Sequence, residues 1–193
     1  MLYSIVLFIH IIGVVVMFVA VGITLLSMVS MLHSKTTENL RNWAALAVKL
    51  DGLLPFSVIL IIVPGLYLVF SSWGWKNAWI DFSLALLILM TFMGPIINLR
   101  RLKTILHAAK AEKSSVPTNS LLEKVRDRVL WNSVLVMTML AFAIVFLMTV
   151  KVAMTGSIIT IVVAVILGFV AANIILSKGS ASMTSNKKNT RSI

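Results

Sequence analysis

The sequence opens with MLYSIVLFIHIIGVVVMFVAVGITLLSMVSML, residues Met1 to Leu32, a run that contains no Asp, Glu, Lys or Arg. About 20 apolar residues, at about 1.5 Å each, span the hydrocarbon core of a bilayer, so this run is long enough to cross it as one helix. No basic residue precedes the run, and it is about twice as long as the apolar core of about 7–15 residues in a signal peptide. The run therefore predicts a retained transmembrane helix.

The composition extends this prediction to the rest of the chain. Hydrophobic residues make up 60% of the 193 residues and charged residues 12%, and the mean hydropathy is +1.04. Soluble domains carry about 45–50% apolar and about 25% charged residues. We therefore predict an all-α, polytopic membrane bundle over residues 1–176 and a basic, disordered cytoplasmic tail over residues 177–193. Its five transmembrane helices are predicted at about 2–32, 49–70, 78–99, 129–150 and 157–176.

The distribution of basic residues predicts the orientation of the bundle. The second and fourth loops contain only Lys76 and Lys151, whereas the third loop contains Arg100, Arg101, Lys103, Lys110, Lys113, Lys124, Arg126 and Arg128. Basic loops stay in the cytoplasm, so the N-terminus is predicted outside and the C-terminus inside the cytoplasmic membrane of a bacterium. The net charge of +11 lies beside apolar segments. It therefore predicts contact with anionic lipid headgroups and not with nucleic acid.

Tryptophan residues lie near both predicted membrane surfaces. Trp73, Trp75 and Trp79 surround the second loop, while Trp43 and Trp131 lie at the predicted inner surface. Tryptophan side chains favour the headgroup level, so membrane anchoring is the expected role. A stacking site for a ligand on the first three residues is the alternative.

His10 is the candidate functional residue of the first helix. Steps of three and four residues from His10 pass through Gly13, Met17, Ala20, Thr24, Ser27 and Met31. Small and polar residues pack helices against each other in lipid, so this face is predicted to point into the bundle. An ionisable group inside a membrane segment is a candidate functional site. The sequence leaves open whether His10 binds a ligand, carries a proton or only forms a hydrogen bond between helices.

Asp51 is the second costly polar group, and it precedes Pro55 and Pro64 in the second predicted span. A structural ion pair with Arg41, Arg100 or Arg101 is the favoured prediction, because an isolated charge inside a membrane is expensive. A proton or ion relay is the alternative. His10 and Asp51 are predicted in opposite halves of the bilayer, so they are not expected to form one site.

The loop between the third and fourth spans contains two helix signals. Leu102, Ile105 and Ala109 recur at helical spacing among basic residues, which predicts an amphipathic extension of the third helix. Ser120 and Glu123 predict a capping box at the start of the next helix. Most of this loop is therefore expected to be helical.

Standard catalytic and metal-binding motifs are absent from the sequence. The chain has no Cys, no P-loop and no HExxH pair, and no Ser, His and Asp set falls within one half of the bilayer. No catalytic residue and no metal site are predicted, and the sequence favours a protein that is not an enzyme.

A family resemblance rests on the segment LFIHIIGVVVMFVAVG, Leu7 to Gly22. This segment resembles the first helix of a loose group of bacterial inner-membrane families, in which a His-x-x-Gly helix opens a bundle of four or five helices. The group includes the copper-resistance D proteins, the HemJ-type membrane protoporphyrinogen oxidases and predicted integral membrane families of unknown function. The rest of the chain is similar to one of those uncharacterised families through Asp51, Pro64-Gly65-Leu66, Trp75, Trp79, Gly94-Pro95 and Arg100-Arg101.

The resemblance implies a cofactor. His10 matches the position of a haem-ligating histidine in the oxidase family, so the likeness implies haem b with His10 as its ligand. The resulting expectation is a membrane protein that binds haem or a metal through an intramembrane histidine. A non-enzymatic accessory, assembly or transport-associated protein is the alternative, with a second copy or another membrane protein as partner.

Overall fold

The computed structural model of the protein describes the backbone of residues 1–189 and the side chains of residues 1–177. Every regular element in this part is helical, and five helical stretches are long and apolar enough to cross a membrane. The predicted all-α bundle with five spans is therefore confirmed. The disordered tail predicted over residues 177–193 stays a prediction: its described backbone belongs to a helix as far as Asn189, and its side chains after residue 177 lie outside those described.

The five spans contain eight α-helices and two π-helical segments within the described residues. The elements are α1 (Leu2–Leu32), α2 (Thr37–Asp51), α3 (Leu54–Leu68), a π-helical segment (Val69–Trp73), α4 (Ala78–Met93), a second π-helical segment (Gly94–Leu99), α5 (Arg100–Ala111), α6 (Asn119–Val125), α7 (Arg128–Val150) and α8 (Met154–Asn189). We call the end of the bundle where α1 begins the tryptophan end. We call the opposite end, which contains α2, α5 and α6, the basic end.

Helix α1 buries the face that the sequence predicts. Its buried residues are His10, Gly13, Met17, Ala20, Thr24, Ser27, Met28 and Met31, whereas Val15 and Val19 on other faces are exposed. A Cβ atom at Gly13 would lie 2.9 Å from the carbonyl carbon of Leu60, so α1 and α3 approach closely at this glycine. The inward orientation of His10 is therefore confirmed, and its neighbours come from α3.

The second span differs from the prediction at its start. A separate helix, α2, begins at Thr37, and the Thr36 side chain accepts a hydrogen bond from the Asn39 N–H at 3.3 Å. The helix ends at Asp51, and α3 begins at Leu54. Pro55 has no N–H to donate to the carbonyl of Asp51 four residues earlier, which explains the break. Helix α2 packs at the basic end through Leu40, Ala44 and Ala47.

The loop after the third span follows the prediction in part. Helix α5 buries Leu102, Ile105 and Ala109, so the amphipathic extension is confirmed. The predicted cap at Ser120 is wrong, because α6 begins at Asn119 and Thr118 occupies the N-cap position. Thr118 Oγ1 donates a hydrogen bond to a carboxylate oxygen of Glu112 at 2.6 Å.

Helix α7 begins at Arg128 with its own N-cap residue, and it carries a buried tryptophan. The Asp127 side chain accepts a hydrogen bond from the Val129 N–H at 2.9 Å and caps the helix. Trp131 is completely buried, and its Nε1 donates to the Val125 carbonyl at 2.9 Å. Burial does not suit the membrane-anchoring role expected of Trp131, because its ring belongs to the apolar core of the basic end, with residues of α1, α2, α5 and α6.

Candidate functional site

His10 forms a hydrogen bond that crosses between two helices. Its Nδ1 lies 2.8 Å from the Ile61 carbonyl oxygen of α3, and its side chain is 9% exposed. Because a carbonyl only accepts hydrogen bonds, Nδ1 carries the proton in this contact. In the neutral ring Nε2 then keeps a free lone pair, which is available to a ligand.

Gly65 shapes the recess that holds the imidazole. A Cβ atom at Gly65 would lie 3.1 Å from His10 Cε1 and 3.2 Å from Nδ1, so a side chain at this position would press on the ring. Pro64 lacks the N–H that would otherwise bond to the carbonyl of Leu60. At the level of sequence Gly65 enters only through the family resemblance, whereas the fold places this residue against His10.

His10 lines a cavity of about 510 Å³ near the tryptophan end, which we call the His10 cavity. Its wall comes from α1, α3, the first π-helical segment, α4 and α7, and it is largely apolar. Tyr3, Ser83, Thr149 and Lys151 add polar groups to this wall. Ser83 is 1% exposed, and its hydroxyl has no hydrogen-bond partner among the described residues. Lys151 lies at the end of α7, in a left-handed conformation with φ of 56°.

The tryptophan residues at this end divide into core and surface. Trp79 is buried, and its ring lies 5.5 Å from the ring of Trp73 between centroids. The Lys151 ammonium lies 5.5 Å from the Trp79 ring centroid, a cation–π distance. Trp75 remains exposed. The expected role in membrane anchoring therefore suits Trp75, while Trp79 belongs to the packing beside the His10 cavity.

Asp51 does not form the expected ion pair with a nearby arginine. Arg101 pairs with Asp127, and Arg41 donates to the Ala109 carbonyl from Nε at 3.2 Å. Among the side chains described, none donates a hydrogen bond to the Asp51 carboxylate, although this residue is only 5% exposed. Arg101 of α5 is held by the N-cap residue of α7, and Arg41 of α2 is held by a carbonyl of α5. Neither side chain is therefore directed towards Asp51.

Asp51 lines a second and smaller cavity of about 70 Å³, which we call the Asp51 cavity. Four other polar side chains face it, namely Thr24 of α1, Thr91 of α4, Asn98 of the second π-helical segment and Thr138 of α7. Pro55 and Pro95 also line this cavity. Because Pro95 lacks an N–H, the Thr91 carbonyl loses its helical partner, as the Asp51 carbonyl does at Pro55.

The hydrogen bonds around the Asp51 cavity leave most of its oxygen atoms as acceptors. Thr91 Oγ1 donates to the Leu87 carbonyl at 2.7 Å, and Thr138 Oγ1 donates to the Val134 carbonyl at 2.7 Å. Asn98 Nδ2 lies 3.3 Å from Met137 Sδ, which leaves Asn98 Oδ1 to accept. The Thr24 hydroxyl and Asn98 Oδ1 have no partner among the described residues.

The two cavities are separate and share a wall. His10 lines only the larger cavity and Asp51 only the smaller one, while Met17, Leu87 and Ala141 line both. These three side chains are buried and apolar. The fold therefore places the two candidate residues on opposite sides of one apolar partition, and no direct contact joins them.

Sequence reasoning missed Ser83 and Asn98 and underused Thr24. Asn98 is an amide in an otherwise apolar span, three residues after Pro95, and this pattern was an available signal. Ser83 has no comparable signal, because a serine in an apolar helix is common. Within the described residues, no group of three or more His, Cys, Asp and Glu residues could hold a metal ion.

Comparison with known proteins gives one match. The family model described as "Predicted integral membrane protein (DUF2269)" matches residues 4–152. The matched range includes the residues named above in both cavities, from His10 to Lys151. It ends before α8. No curated protein and no solved structure matches the chain. The expected likeness to an uncharacterised membrane family is confirmed, and the likeness to the copper-resistance D and HemJ-type families stays a prediction.

Proposed function

This chain belongs to the DUF2269 family of predicted integral membrane proteins, and we propose that it binds haem in the His10 cavity, with His10 as axial ligand. The observation that carries the proposal is the 2.8 Å contact between His10 Nδ1 and the Ile61 carbonyl oxygen. Histidines that bind metals commonly donate their second ring N–H to a carbonyl or carboxylate, which orients the ring and makes the free nitrogen a better ligand.

The His10 cavity suits a large, apolar ligand with a polar edge. Its volume of about 510 Å³ lies within the range of about 300–1,000 Å³ for small-molecule sites. Met17 and Met148 also line it, and a methionine thioether would offer haem iron a further protein ligand beside His10. Lys151 offers a cation to the ligand's carboxylates, and Ser83 offers a hydroxyl. A bound haem would supply redox chemistry or gas binding, and His10 would hold it in place.

An absorption spectrum of the detergent-purified full chain, with chemical haem analysis, tests this proposal. The wild-type protein is expected to show a Soret band, and His10→Ala is expected to lose it. His33→Ala and His107→Ala are matched controls, because both histidines are exposed and line neither cavity. Their spectra should equal that of the wild type. A colourless wild-type protein that is folded by circular dichroism would overturn the proposal.

A structural role for His10 is the second candidate, in a non-enzymatic accessory or assembly protein. It is favoured by the close approach of α1 to α3, where Gly13 meets Leu60 and Gly65 meets His10. In this case the hydrogen bond to Ile61 mainly joins two helices, and His10→Gln would keep both stability and function. Under the haem proposal, His10→Gln loses the Soret band, because an amide does not replace the imidazole as an iron ligand.

We also propose that the tryptophan end faces the outside of a bacterial cytoplasmic membrane and that the basic end meets anionic headgroups. The support is the excess of Lys and Arg in the loops of the basic end. The chain has no Cys. Single-cysteine variants at Lys76 and at Ser115 can therefore be treated with an impermeant maleimide on intact cells. Labelling at position 76 and not at position 115 is expected, and the reverse pattern would overturn the orientation.

A further inference from the structure

We propose that the Asp51 cavity binds an alkali-metal cation, and Na⁺ is the cation with which the proposal can be tested. The cavity combines one carboxylate with side-chain oxygens from four other elements of the bundle. Its position, chemistry and size differ from those of the His10 cavity, so this inference is independent of haem binding.

The first argument is the excess of unpaired acceptors. Thr91 and Thr138 direct their hydroxyl protons to backbone carbonyls, so their oxygens face other groups only with lone pairs. Asn98 Oδ1 is unpartnered and its residue is 4% exposed, while Thr24 Oγ1 is unpartnered at 2%. Buried acceptors without a donor are costly. A cation satisfies several of them at once.

The second argument is charge. The Asp51 carboxylate has no basic partner among the described side chains, and no Lys or Arg lines this cavity. One monovalent cation therefore balances the site. A divalent ion fits less well, because Ca²⁺ sites usually contain several carboxylates and Mg²⁺ keeps several of its own waters. Oxygen ligands without nitrogen or sulfur likewise match a hard cation.

The third argument is the backbone. Helix α2 ends at Asp51, and the C-terminal end of a helix carries partial negative charge that favours a cation. Pro55 and Pro95 remove the donors for the Asp51 and Thr91 carbonyls. Interrupted helices whose freed carbonyls face a buried ion are a recurring arrangement in membrane proteins. The second π-helical segment, which contains Asn98, adds a further irregular element of the kind found at functional sites.

Trapped water is the main rival occupant. A volume of about 70 Å³ exceeds the roughly 10–15 Å³ that one water molecule needs, so ordered water fits this cavity. Water would donate hydrogen bonds to the same acceptors but would show no dependence on the kind of salt. A cation site instead makes stability depend on Na⁺ in a saturable way, because only the folded chain has the site.

Thermal unfolding of the full chain in detergent, followed by tryptophan fluorescence, distinguishes these occupants. We expect Tm to rise with NaCl relative to choline chloride at equal ionic strength, by about 3–5 °C when Na⁺ exceeds its Kd about tenfold. Asp51→Asn is expected to lose this rise. Asp81→Asn is the matched control, because Asp81 is exposed near the opposite end of the bundle and should keep the full response.

A second variant keeps the test informative if Asp51→Asn does not fold. Thr24→Val removes only the unpartnered hydroxyl and nearly preserves volume. In choline chloride its Tm should equal or exceed that of the wild type, since a buried unpaired group is lost. The Na⁺ concentration that produces half of the rise in its Tm should increase severalfold. Equal Tm values of the wild type in NaCl and choline chloride would overturn the proposal, and so would an unchanged Na⁺ response in both variants.

Discussion

The two cavities lie on opposite sides of one apolar partition, yet they are built by different means. The His10 cavity of about 510 Å³ depends on Gly13 and Gly65, which let α1 and α3 approach closely beside it. The Asp51 cavity of about 70 Å³ lies where Pro55 and Pro95 interrupt helices. Glycine gives room for a side chain of a neighbouring helix, whereas proline exposes polar backbone.

This difference explains why the two cavities suit different ligands. The larger cavity has one imidazole with a free nitrogen in mostly apolar surroundings, which is suited to a bulky ligand held at one point. The smaller cavity also has a largely apolar wall, but this wall contains one carboxylate and side-chain oxygens from four other elements, which are ligands suited to an ion. Burial alone therefore does not decide the role of a polar residue in this bundle; the groups around it do.

The largest expected effects appear when the variants of each cavity are tested for both haem binding and the response to Na⁺. His10→Ala should abolish the Soret band and leave the half-saturating Na⁺ concentration within about twofold of the wild type, because distant sites act nearly independently. Asp51→Asn should keep the Soret band and lose the rise of Tm with Na⁺. Absorption spectra and Na⁺-dependent Tm values check both. A tenfold change of the Na⁺ midpoint in His10→Ala would instead mean that the partition of Met17, Leu87 and Ala141 couples the cavities.

An effect of intermediate size is expected at Gly13, where α1 approaches α3 closely. The new methyl group of Gly13→Ala would lie 2.9 Å from the Leu60 carbonyl carbon, so α1 and α3 must separate. We expect the free energy of unfolding to fall by about 1–3 kcal/mol, the usual cost of overpacking. The Soret band should weaken, and the Na⁺ midpoint should stay unchanged.

Gly22→Ala is the matched control for this prediction, since no atom lies within 4 Å of a Cβ atom at that position. Denaturant titration in detergent should show that it is as stable as the wild type or slightly more stable, because alanine is the better helix former. Equal stability of Gly13→Ala and Gly22→Ala would contradict the close packing of α1 on α3.

The smallest expected effect concerns Ser83, the unpaired hydroxyl in the wall of the His10 cavity. Ser83→Ala should change the free energy of unfolding of the ligand-free protein by less than about 0.5 kcal/mol, because no existing hydrogen bond is lost. Haem retention during detergent washing should decrease a fewfold if the hydroxyl contacts the ligand. Ser4→Ala, at an exposed position of α1, should change neither quantity. Unchanged retention in Ser83→Ala would remove this residue from the ligand site.

The architecture was predictable because membrane insertion imposes strong and local rules. A long apolar run must form a helix, since its backbone groups have no other partners in lipid. The small and polar face of α1 was predictable for a similar reason, and every residue of the predicted stripe from His10 to Met31 is buried. The amphipathic start of α5 followed from the spacing of Leu102, Ile105 and Ala109.

The expectations that the structure did not bear out concern the partners of individual side chains. Arg101 contacts Asp127 and not Asp51, and Trp131 donates to Val125 from inside the core. A sequence pattern does not contain the relative rotation of packed helices, which decides such partners. The capping residue of α6 was also misplaced by two positions, because Thr118 is stabilised by Glu112 across the loop.

The sequence by itself determined that this is a five-span helical membrane protein and that His10 and Asp51 are its two costly intramembrane groups. Hydrophobicity and periodicity are properties of single segments, so they can be read from a single chain. Only the tertiary structure decided what surrounds each group. It placed Ile61 and Gly65 against His10, and it collected Thr24, Asn98 and Thr138 around Asp51. Those neighbours come from different helices, and packing alone brings them together.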